Sequence, residues 1–328
     1  NSHIQILGLK MYVVTVGSGN SGGGAIHDYL YNREDFSSPF FGNEFRLIND
    51  PDGIDALYKN LYENFSVNNA AAAFERFEKF SILSTKIKGN VNNEWRRIYP
   101  ENSEKLILNY LKRISYIEYY AMPQFKYLSL NMIKKFHFFI KHRLLKEKIN
   151  KIKLFKVRIP EDEKKFLLET KNFLDELCQK KNKSKNSNII LDQSVSYWNP
   201  ENFLKYFDDA KIIITNRDPR SIYYSMLSRN SKAYPSSNIK TFTKWYKKIR
   251  EKQSEIDNKN IYFVQYEKFL KNFEKESRKL NNFLKIKNKI KSKLDIEHSK
   301  NNILKAKRNL AVSDQNFIKN NLKNFLAW

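Results

Sequence analysis

The feature that most constrains this chain is an apolar run that drives into a cluster of glycines and reopens as a helix-forming stretch, MYVVTVGSGNSGGGAIHDYL. Five of the nine glycines (Gly17, Gly19, Gly22, Gly23 and Gly24) fall within eight residues of one another. The spacing predicts a strand over Met11–Val16, a turn over Gly17–Gly24 and a helix over Ala25–Tyr31. Glycines in such a turn permit unusual dihedrals and let a ligand approach the backbone closely. The helix start behind them offers unpaired N–H groups and the positive end of a dipole, suited to phosphate or sulfate. The plainer reading is a tight turn whose glycines serve close packing.

Several fingerprints match this turn at once. Gly17-Ser-Gly19-Asn-Ser-Gly22 fits the dinucleotide pattern and Gly19-Asn-Ser21-Gly-Gly23 the nucleophile elbow, whereas the Walker-type pattern keeps only its glycines. A dinucleotide site asks for an acid about 20 positions on, at the end of the next strand. Asp35 stands in a polar loop and Asp50 comes late. An elbow needs an acid and a base downstream, for which Asp192 and His298 are available. His27, on the helix, is either a packed residue or a second catalytic candidate. No one pattern decides the matter alone.

Beyond the turn, a short strand is expected near Glu44–Ile48, then helices over Ile54–Phe65, Ala70–Leu83, Glu101–Tyr119 and Asn131–Lys148. Lys153–Ile159 reads as a strand stopped by Pro160, and Glu161–Gln179 as a helix. Lys180–Asn188 reads as a loop. The short buried-strand candidates Asn188–Leu191, Lys211–Thr215 and Ile261–Gln265 are each followed by a helical stretch, over Pro200–Phe207, Arg220–Arg229 and Glu267–Leu284. Lys285–Lys293 reads as a surface loop, and Asp314–Phe325 as a last helix capped by Ser313. Strands alternating with helices specify an α/β fold with a mostly parallel central sheet flanked by helices. Residues 1–10 read as a remnant ahead of a start at Met11. Residues 11–328 read as one domain, with about 54–150 as a helical insertion shaping a substrate cleft.

Composition narrows the partners. The chain carries 60 Lys and Arg against 35 Asp and Glu, a net charge of +25. Only 14 of the 60 are Arg, beside abundant Asn, Ile, Phe and Tyr, so part of this charge reflects an AT-rich coding bias. The charge points to anionic partners, yet no nucleic-acid module is recognisable. One cysteine, Cys178, excludes a disulfide framework, and five scattered histidines argue against a metal site. There is no apolar run of membrane-spanning length and no signal-peptide core. The reading is a cytoplasmic protein. The basic amphipathic segment MIKKFHFFIKHRLL suggests peripheral contact with the inner face of an anionic membrane. The simpler alternative is that its Phe and Leu face packs inward.

A second constellation sharpens the function. In KIIITNRDPRSIYYSMLSRN, a strand ends at Arg217 and a helix begins near Arg220, placing Ser225 about two turns along. A strand-end guanidinium and a helical hydroxyl can converge on one phosphate. The alternative is an ordinary solvated turn. This arrangement resembles the 3′-phosphate motif of sulfotransferases that use 3′-phosphoadenylyl sulfate (PAPS), and the glycine turn sits where that family holds the 5′-phosphosulfate. ILDQSVSYWNPENFLKYFDDAKIIITNRDPR is similar to the corresponding segment of carbohydrate sulfotransferases, and IYFVQYEKFLKNFEKESRKLNNFLKI to a later strand and helix. HSKNNILKAKRNLAVSDQNFIKNNL is more loosely similar to the C-terminal part of bacterial members. The likeness covers Met11–Ile48 and Asn188–Leu326; the helical middle matches nothing.

The resemblance implies a P-loop-like sulfotransferase fold that moves a sulfuryl group from PAPS to a hydroxyl of a carbohydrate or glycolipid, releasing PAP (3′,5′-ADP), with no metal. It implies that Ser18, Gly19, Asn20, Ser21, Gly22, Gly23 and Gly24 hold the phosphosulfate. Arg217 and Ser225, with Lys307 and Arg308, would hold the 3′-phosphate end. Glu44 would be the base, with Asn20 and His27 also at the reacting centre, and Arg46, Asp192, Gln193 and Tyr197 would face the acceptor. Two positions depart from the family: Asn20 and Gln193 stand where it has cations. Losing charge stabilisation there lowers the rate by orders of magnitude unless it is replaced. The candidates for replacement are Arg46, Lys156, Arg158 and Lys307. The alternatives are a catalytically impaired nucleotide- or polyanion-binding protein of the same fold, or a dinucleotide-binding enzyme.

Overall fold

The computed structural model describes residues 11–31, 33–91, 94–144, 155–179, 188–287 and 294–327. In chain order the first elements are β1 (Tyr12–Val16), α1 (Gly23–Tyr31), β2 (Phe36–Ser37), α2 (Ile54–Tyr58), α3 (Val67–Ser84), β3 (Lys88–Val91) and β4 (Glu94–Arg97). The middle holds α4 (Ser103–Arg113), β5 (Ser115–Ala121), α5 (Gln124–Ser129), α6 (Met132–Phe139), β6 (Phe155–Pro160) and α7 (Glu163–Gln179). The last part runs β7 (Asn188–Asp192), β8 (Ala210–Asn216), α8 (Pro219–Ser228), α9 (Ile239–Gln253) and β9 (Ile261–Gln265). It ends with α10 (Tyr266–Lys271), α11 (Phe273–Leu284), α12 (Ile296–Asn309) and α13 (Val312–Leu322).

The central sheet has the order β2-β7-β1-β8-β9, and every pairing in it is parallel. This is the α/β class that the alternating strands specify. Residues of both parities are fully buried, Val13, Ile190 and Ile213 on one face and Val14, Ile212 and Ile214 on the other, so both faces are covered. The first set packs against Ile26, Tyr29 and Leu30 of α1 and against Phe269, Leu270, Leu280 and Leu284 of α10 and α11. A second core joins Ile222 and Met226 of α8 to Phe242 and Tyr246 of α9 and Ile318 and Leu322 of α13. Because the strands are parallel, the carboxyl ends of β1, β7, β8 and β9 share one edge of the sheet. Their next residues are Gly17, Gln193, Arg217 and Tyr266, and that edge is where an open α/β sheet binds ligands.

By contact density the chain divides into two compact units. One comprises the described parts of Asn1–Ile48, Gly89–Ile98 and Cys178–Trp328; the other comprises those of Asn49–Lys88 and Tyr99–Leu177. The first contains the parallel sheet. The second is built on aromatic packing, with Tyr110 stacked on Phe173 at 4.5 Å and donating or accepting a 2.8 Å bond with Thr170. Within it, Arg158 is buried between the carboxylates of Glu78 and Glu118, 2.7 Å from each.

Several sequence expectations are corrected. Glu44–Ile48 is not a strand: Glu44 makes a single parallel bridge to Asp192, and the chain then turns away. The helix expected over Glu101–Tyr119 ends at Arg113, and Ser115–Ala121 is β5, antiparallel to β6. The β-branched and aromatic residues of SYIEYYA prefer a pleated surface to a helix. Glu267–Leu284 is two helices that break at Asn272 (φ −117°, ψ 47°). Ser313 does not cap the last helix, which begins at Val312 behind Ala311. Helix α9, capped by Asn238, and helix α12, capped by Asp295, were not anticipated as helices. The readings for residues 1–10, 145–148, 153–154, 180–187 and 288–293 fall outside the described residues.

Candidate functional site

The glycine turn is explained position by position. A Cβ on Gly17 would run into the Ser21 side chain and the Thr215 carbonyl; on Gly19, into the Tyr234 ring; and on Gly22, into the Tyr266 ring. Gly22 also has φ +91°, which L-residues rarely adopt. These three glycines therefore serve packing inside the chain. Gly23 and Gly24 do not. A Cβ on Gly24 would meet nothing within 4 Å, and one on Gly23 would meet only the Gln193 amide nitrogen at 3.7 Å and the Val16 carbonyl carbon at 3.9 Å. They open α1, where glycine costs about 1 kcal/mol relative to alanine in a helix interior. No contact among the described residues requires them; Gly23 is buried and Gly24 exposed, and with the N–H groups of the helix start they form a backbone cradle. Ser18 and Ser21 are buried, and the Ser21 hydroxyl packs against Gly17, the opposite of an exposed elbow nucleophile.

Arg217 faces this turn. Its Nη1 donates to the Asn20 carbonyl at 3.1 Å and to the Ser225 hydroxyl at 3.3 Å, and its guanidinium lies 5.0 Å from the centre of the Tyr266 ring. The side chain is buried, and Nε and Nη2 find no hydrogen-bond acceptor among the described residues, although Nε lies 4.0 Å from the Glu267 carboxylate in a long ion pair. Burial holds the guanidinium below the usual arginine range, against the pull of Tyr266 and Glu267. Tyr266 thus touches both halves, its ring against Gly22 and beneath Arg217. The rest of the RDPR segment is structural: Asp218 caps α8 and holds Arg220 through two bonds of 2.9 and 2.8 Å. Glu267, whose carboxyl is pushed up by burial, accepts from the Asp218 N–H at 3.0 Å. A buried cation with two unmet donors beside an open helix start fits a ligand bearing anionic groups at two points.

A third group flanks the turn. Asp192, at the end of β7, accepts from the Thr15 hydroxyl at 2.9 Å, and the Gln193 N–H donates to the Thr15 carbonyl at 2.9 Å. Burial raises the Asp192 carboxyl, with Glu44 adding to the rise and His27, Thr15 and the Gln193 N–H opposing it. Glu44 lies beside Asp192 through its bridge and is exposed, with Arg46 3.4 Å from its carboxylate. His27 is buried against Tyr31, and its Nε2 has no partner among the described residues. Asn20 and Gln193 share an unusual trait, left-handed backbone, with φ of 63° and 54°. Asn tolerates this conformation better than most residues, and Gln gains no such ease.

Tyr197 is half-buried; burial and the nearby Tyr234 push its phenol up. Lys307 and Arg308 lie on the exposed last turn of α12, whose next residue, Asn309, donates to the Tyr224 hydroxyl at 3.2 Å, one residue from Ser225. His298 is exposed at the start of α12, apart from the Asp192 group. Asp35 is engaged by Arg33 at 2.8 Å, which disfavours it as the ribose-binding acid of a dinucleotide site. Sequence reasoning missed Arg229, whose Nη1 lies 3.3 Å from the Asn20 side-chain oxygen. The signal was present, since Ser225 and Arg229 are four apart on one helix. It also missed Tyr234, which covers Gly19 and for which no local pattern exists. Among the described residues no three His, Cys, Asp or Glu side chains cluster as metal ligands.

Residues 123–289, half of the chain, match the model described as the sulfotransferase family; this span includes Arg217 and Ser225 and begins after the glycine turn. No curated protein matches the chain. Among solved structures, the chain is similar to the sulfotransferase STF1 from Mycobacterium tuberculosis H37Rv at 9% identity, over 97% of this chain and 78% of that one, with a TM-score of 0.41. It is similar to a sulfotransferase from Alicyclobacillus acidocaldarius at 10% identity, over 95% and 93% of the two chains, with a TM-score of 0.41. Mouse sulfotransferase SULT7A1 complexed with PAP is 22% identical over 43% of this chain and 52% of that one, with a TM-score of 0.27. At scores this low the superpositions add nothing to the sequence match.

Proposed function

The chain belongs to the sulfotransferase family, a family of enzymes that generally uses PAPS, releases PAP and acts on an acceptor substrate, and from that premise we propose which residues hold the donor and run the transfer. Arg217 and Ser225 take the 3′-phosphate; the N–H groups of Gly22–Gly24 at the start of α1 take the 5′-phosphosulfate. The observation that carries this is Arg217, buried, bonded to both the turn and Ser225, with Nε and Nη2 lacking a hydrogen-bond acceptor among the described residues and only a long ion pair to Glu267. The donor supplies the sulfuryl group, and the chain supplies position and charge. Lys307 and Arg308, on the helix packed beside Ser225, add positive potential at the same end.

The missing loop cation is Arg229 in this reading. Its guanidinium reaches the Asn20 amide at the tip of the turn, at the position where the family's own cation would stand. Arg158, among the sequence candidates, is instead committed to Glu78 and Glu118. Glu44 takes the proton of the acceptor hydroxyl: it is exposed, and its bridge to Asp192 sets it next to Gln193, whose amide lies at the opening of α1. Gln193 donates a neutral hydrogen bond where the family has charge. Arg46 and Tyr197 offer a cation and an aromatic face to the acceptor. A carbohydrate or glycolipid hydroxyl is supported by the likeness of Ile190–Arg220 to carbohydrate sulfotransferases.

A transfer assay with labelled PAPS over a glycan and glycolipid panel, run on wild type and on Glu44→Gln, tests the reading. Transfer that falls at least a hundredfold in Glu44→Gln, while PAP affinity holds, supports the base (~10²–10⁴ for general-base loss). Unchanged turnover removes Glu44 from that role. Tight PAP binding without transfer to any acceptor favours the impaired binding protein instead.

A further inference from the structure

Helix α6 and the wider helical turn that continues it, Ile140–Leu144, present their apolar side to solvent. The side chains that face the protein are Lys135 and Phe138. The Phe138 ring is 5.6 Å from that of Tyr127, and the Lys135 ammonium stands 6.0 Å from the same ring. At about 100° per residue, Phe139, Met132, Phe136, Ile140 and Ile133 follow one another around a separate arc of roughly 120°. No residue of α6 is buried; Met132 and Ile133 are 78% and 80% exposed, and Phe136 is 66% exposed. Leu144, and Leu128 on neighbouring α5, extend the exposed apolar surface. The expectation that this face packs inward is therefore not met. A contiguous apolar patch of this kind marks an interaction site.

Its charge indicates the occupant. Between Gln124 and Leu144 there is no Asp or Glu, and of the cations there Lys126 is paired with Glu75 while Lys134, Lys135, Lys141 and Arg143 belong to α6 and the turn that continues it. On the helical wheel Lys135 and His137 flank the apolar arc, and Lys134 and Lys141 lie on the polar side opposite it. A second copy of this chain would bring the same cations against one another, in a protein whose net charge is already +25. An anionic lipid surface meets both halves of the pattern, hydrocarbon for the arc and a negative surface potential for the lysine-bearing polar face above it. We propose that Met132–Leu144 is a membrane-docking helix that lies in the headgroup layer of an anionic bilayer, apolar arc downward. This does not rest on the sulfotransferase reading, because none of these residues belongs to the donor site.

The test is sedimentation of the full chain with vesicles of phosphatidylcholine alone or mixed with phosphatidylglycerol, at low and high salt. The variants are Met132→Ser/Ile133→Ser/Phe136→Ser and Lys134→Glu/Lys141→Glu. Binding should require the anionic lipid, weaken with salt, and fall at least tenfold in each variant, with thermal melting unchanged. Since general basicity alone would hold the protein on anionic vesicles, undiminished binding of the triple-serine variant overturns the proposal. So does absence of binding by wild type, or a wild-type dimer that the serine variant dissolves without any change in vesicle binding. A second measurement is independent of those variants. Cys178 is buried, so a polarity-sensitive dye can be placed on Ile133→Cys in a Cys178→Ser background. A blue shift on adding anionic vesicles supports insertion; an unmoved spectrum refutes it.

Discussion

Replacing Arg217 by methionine should separate binding from stability. In the folded chain Nη1 makes two hydrogen bonds, at 3.1 and 3.3 Å, while Nε and Nη2 are buried without acceptors. Two bonds from a charged donor contribute about 1.5–3 kcal/mol each, and each unmet buried donor costs roughly 1–3 kcal/mol. These hydrogen-bond terms nearly cancel and methionine keeps apolar contact with the Tyr266 ring, but the buried Glu267 carboxylate, 4.0 Å from Nε, loses its cation, so the unfolding free energy should fall by up to about 3 kcal/mol. Binding has no such offset. The 3′-phosphate would satisfy both free donors, and losing them should cost about 3–6 kcal/mol, or roughly two to four orders of magnitude in Kd. Calorimetric titration of wild type and Arg217→Met with 3′,5′-ADP and with 5′-AMP isolates the contribution, because AMP lacks only the group in question. Wild type should prefer 3′,5′-ADP at least a hundredfold, and the variant should lose that preference while binding AMP much as before. An equal preference in the two proteins would refute the assignment of the 3′-phosphate to Arg217. A destabilisation beyond about 4 kcal/mol would refute the claim that the free chain holds this guanidinium at a cost.

Three further outcomes are expected. Arg229→Gln should lower kcat about 10–100-fold, as for one electrostatic donor at a reacting centre, and leave 3′,5′-ADP affinity within about threefold; labelled transfer and calorimetry read the two. Gly24→Ala should stabilise the free protein by about 0.5–1 kcal/mol, since α1 gains a helix former where a Cβ meets nothing. The same change should weaken 3′,5′-ADP binding at least tenfold, which thermal melting and calorimetry together detect. Asp192→Asn probes a carboxyl that burial holds above its ordinary value of 3.8. Between that value and the raised one the native state binds more protons than the unfolded chain, so this residue favours folding most at low pH and less as pH climbs through the window. The asparagine variant should flatten the denaturation profile there and be no less stable at neutral pH; a variant that loses stability only above the window contradicts the sign.

The sheet was legible because its strands are short apolar runs ended by glycine or by charge. Tyr12–Val16, Asn188–Asp192, Ala210–Asn216 and Ile261–Gln265 all lie within a residue or two of where periodicity puts them. Ser115–Ala121 was harder to read: its β-branched and aromatic residues favour a strand, but it follows a helix without a break signal, and pairing with β6 decides it. The two-residue β2 is too short to carry any period. At the site, Arg217 and Ser225 could be found from one strand-end and one helical spacing. Tyr234 and Tyr266 could not be assigned, because their role is to fill the space left by Gly19 and Gly22, and that reciprocity exists only in three dimensions. Arg229 was overlooked for a different reason: with 60 Lys and Arg in the chain, no single cation stands out until its neighbour is known.

The departures from local rules are concentrated at the sheet edge where β1, β7, β8 and β9 end. Asn20 and Gln193 hold left-handed backbone at about 1 kcal/mol or more each, Gly23 and Gly24 begin a helix with no packing reason, and Arg217 lies buried with donors unmet. Single departures occur elsewhere too, with left-handed backbone at Phe41, Asn230 and Lys285 and an unbonded buried Gln253 Oε1 among the described residues. But α3, α6, α8, α9 and α12 are capped and Arg158 is fully paired, and at the sheet edge the departures come together. Sequences tolerate such clustered conflict where a ligand relieves it. The three glycines that pack against Ser21, Tyr234 and Tyr266 explain why the turn is tight, but they leave Gly23, Gly24 and the under-bonded Arg217 guanidinium unaccounted for. In the proposed reading, a bound donor with negative charge at both places would relieve the two together.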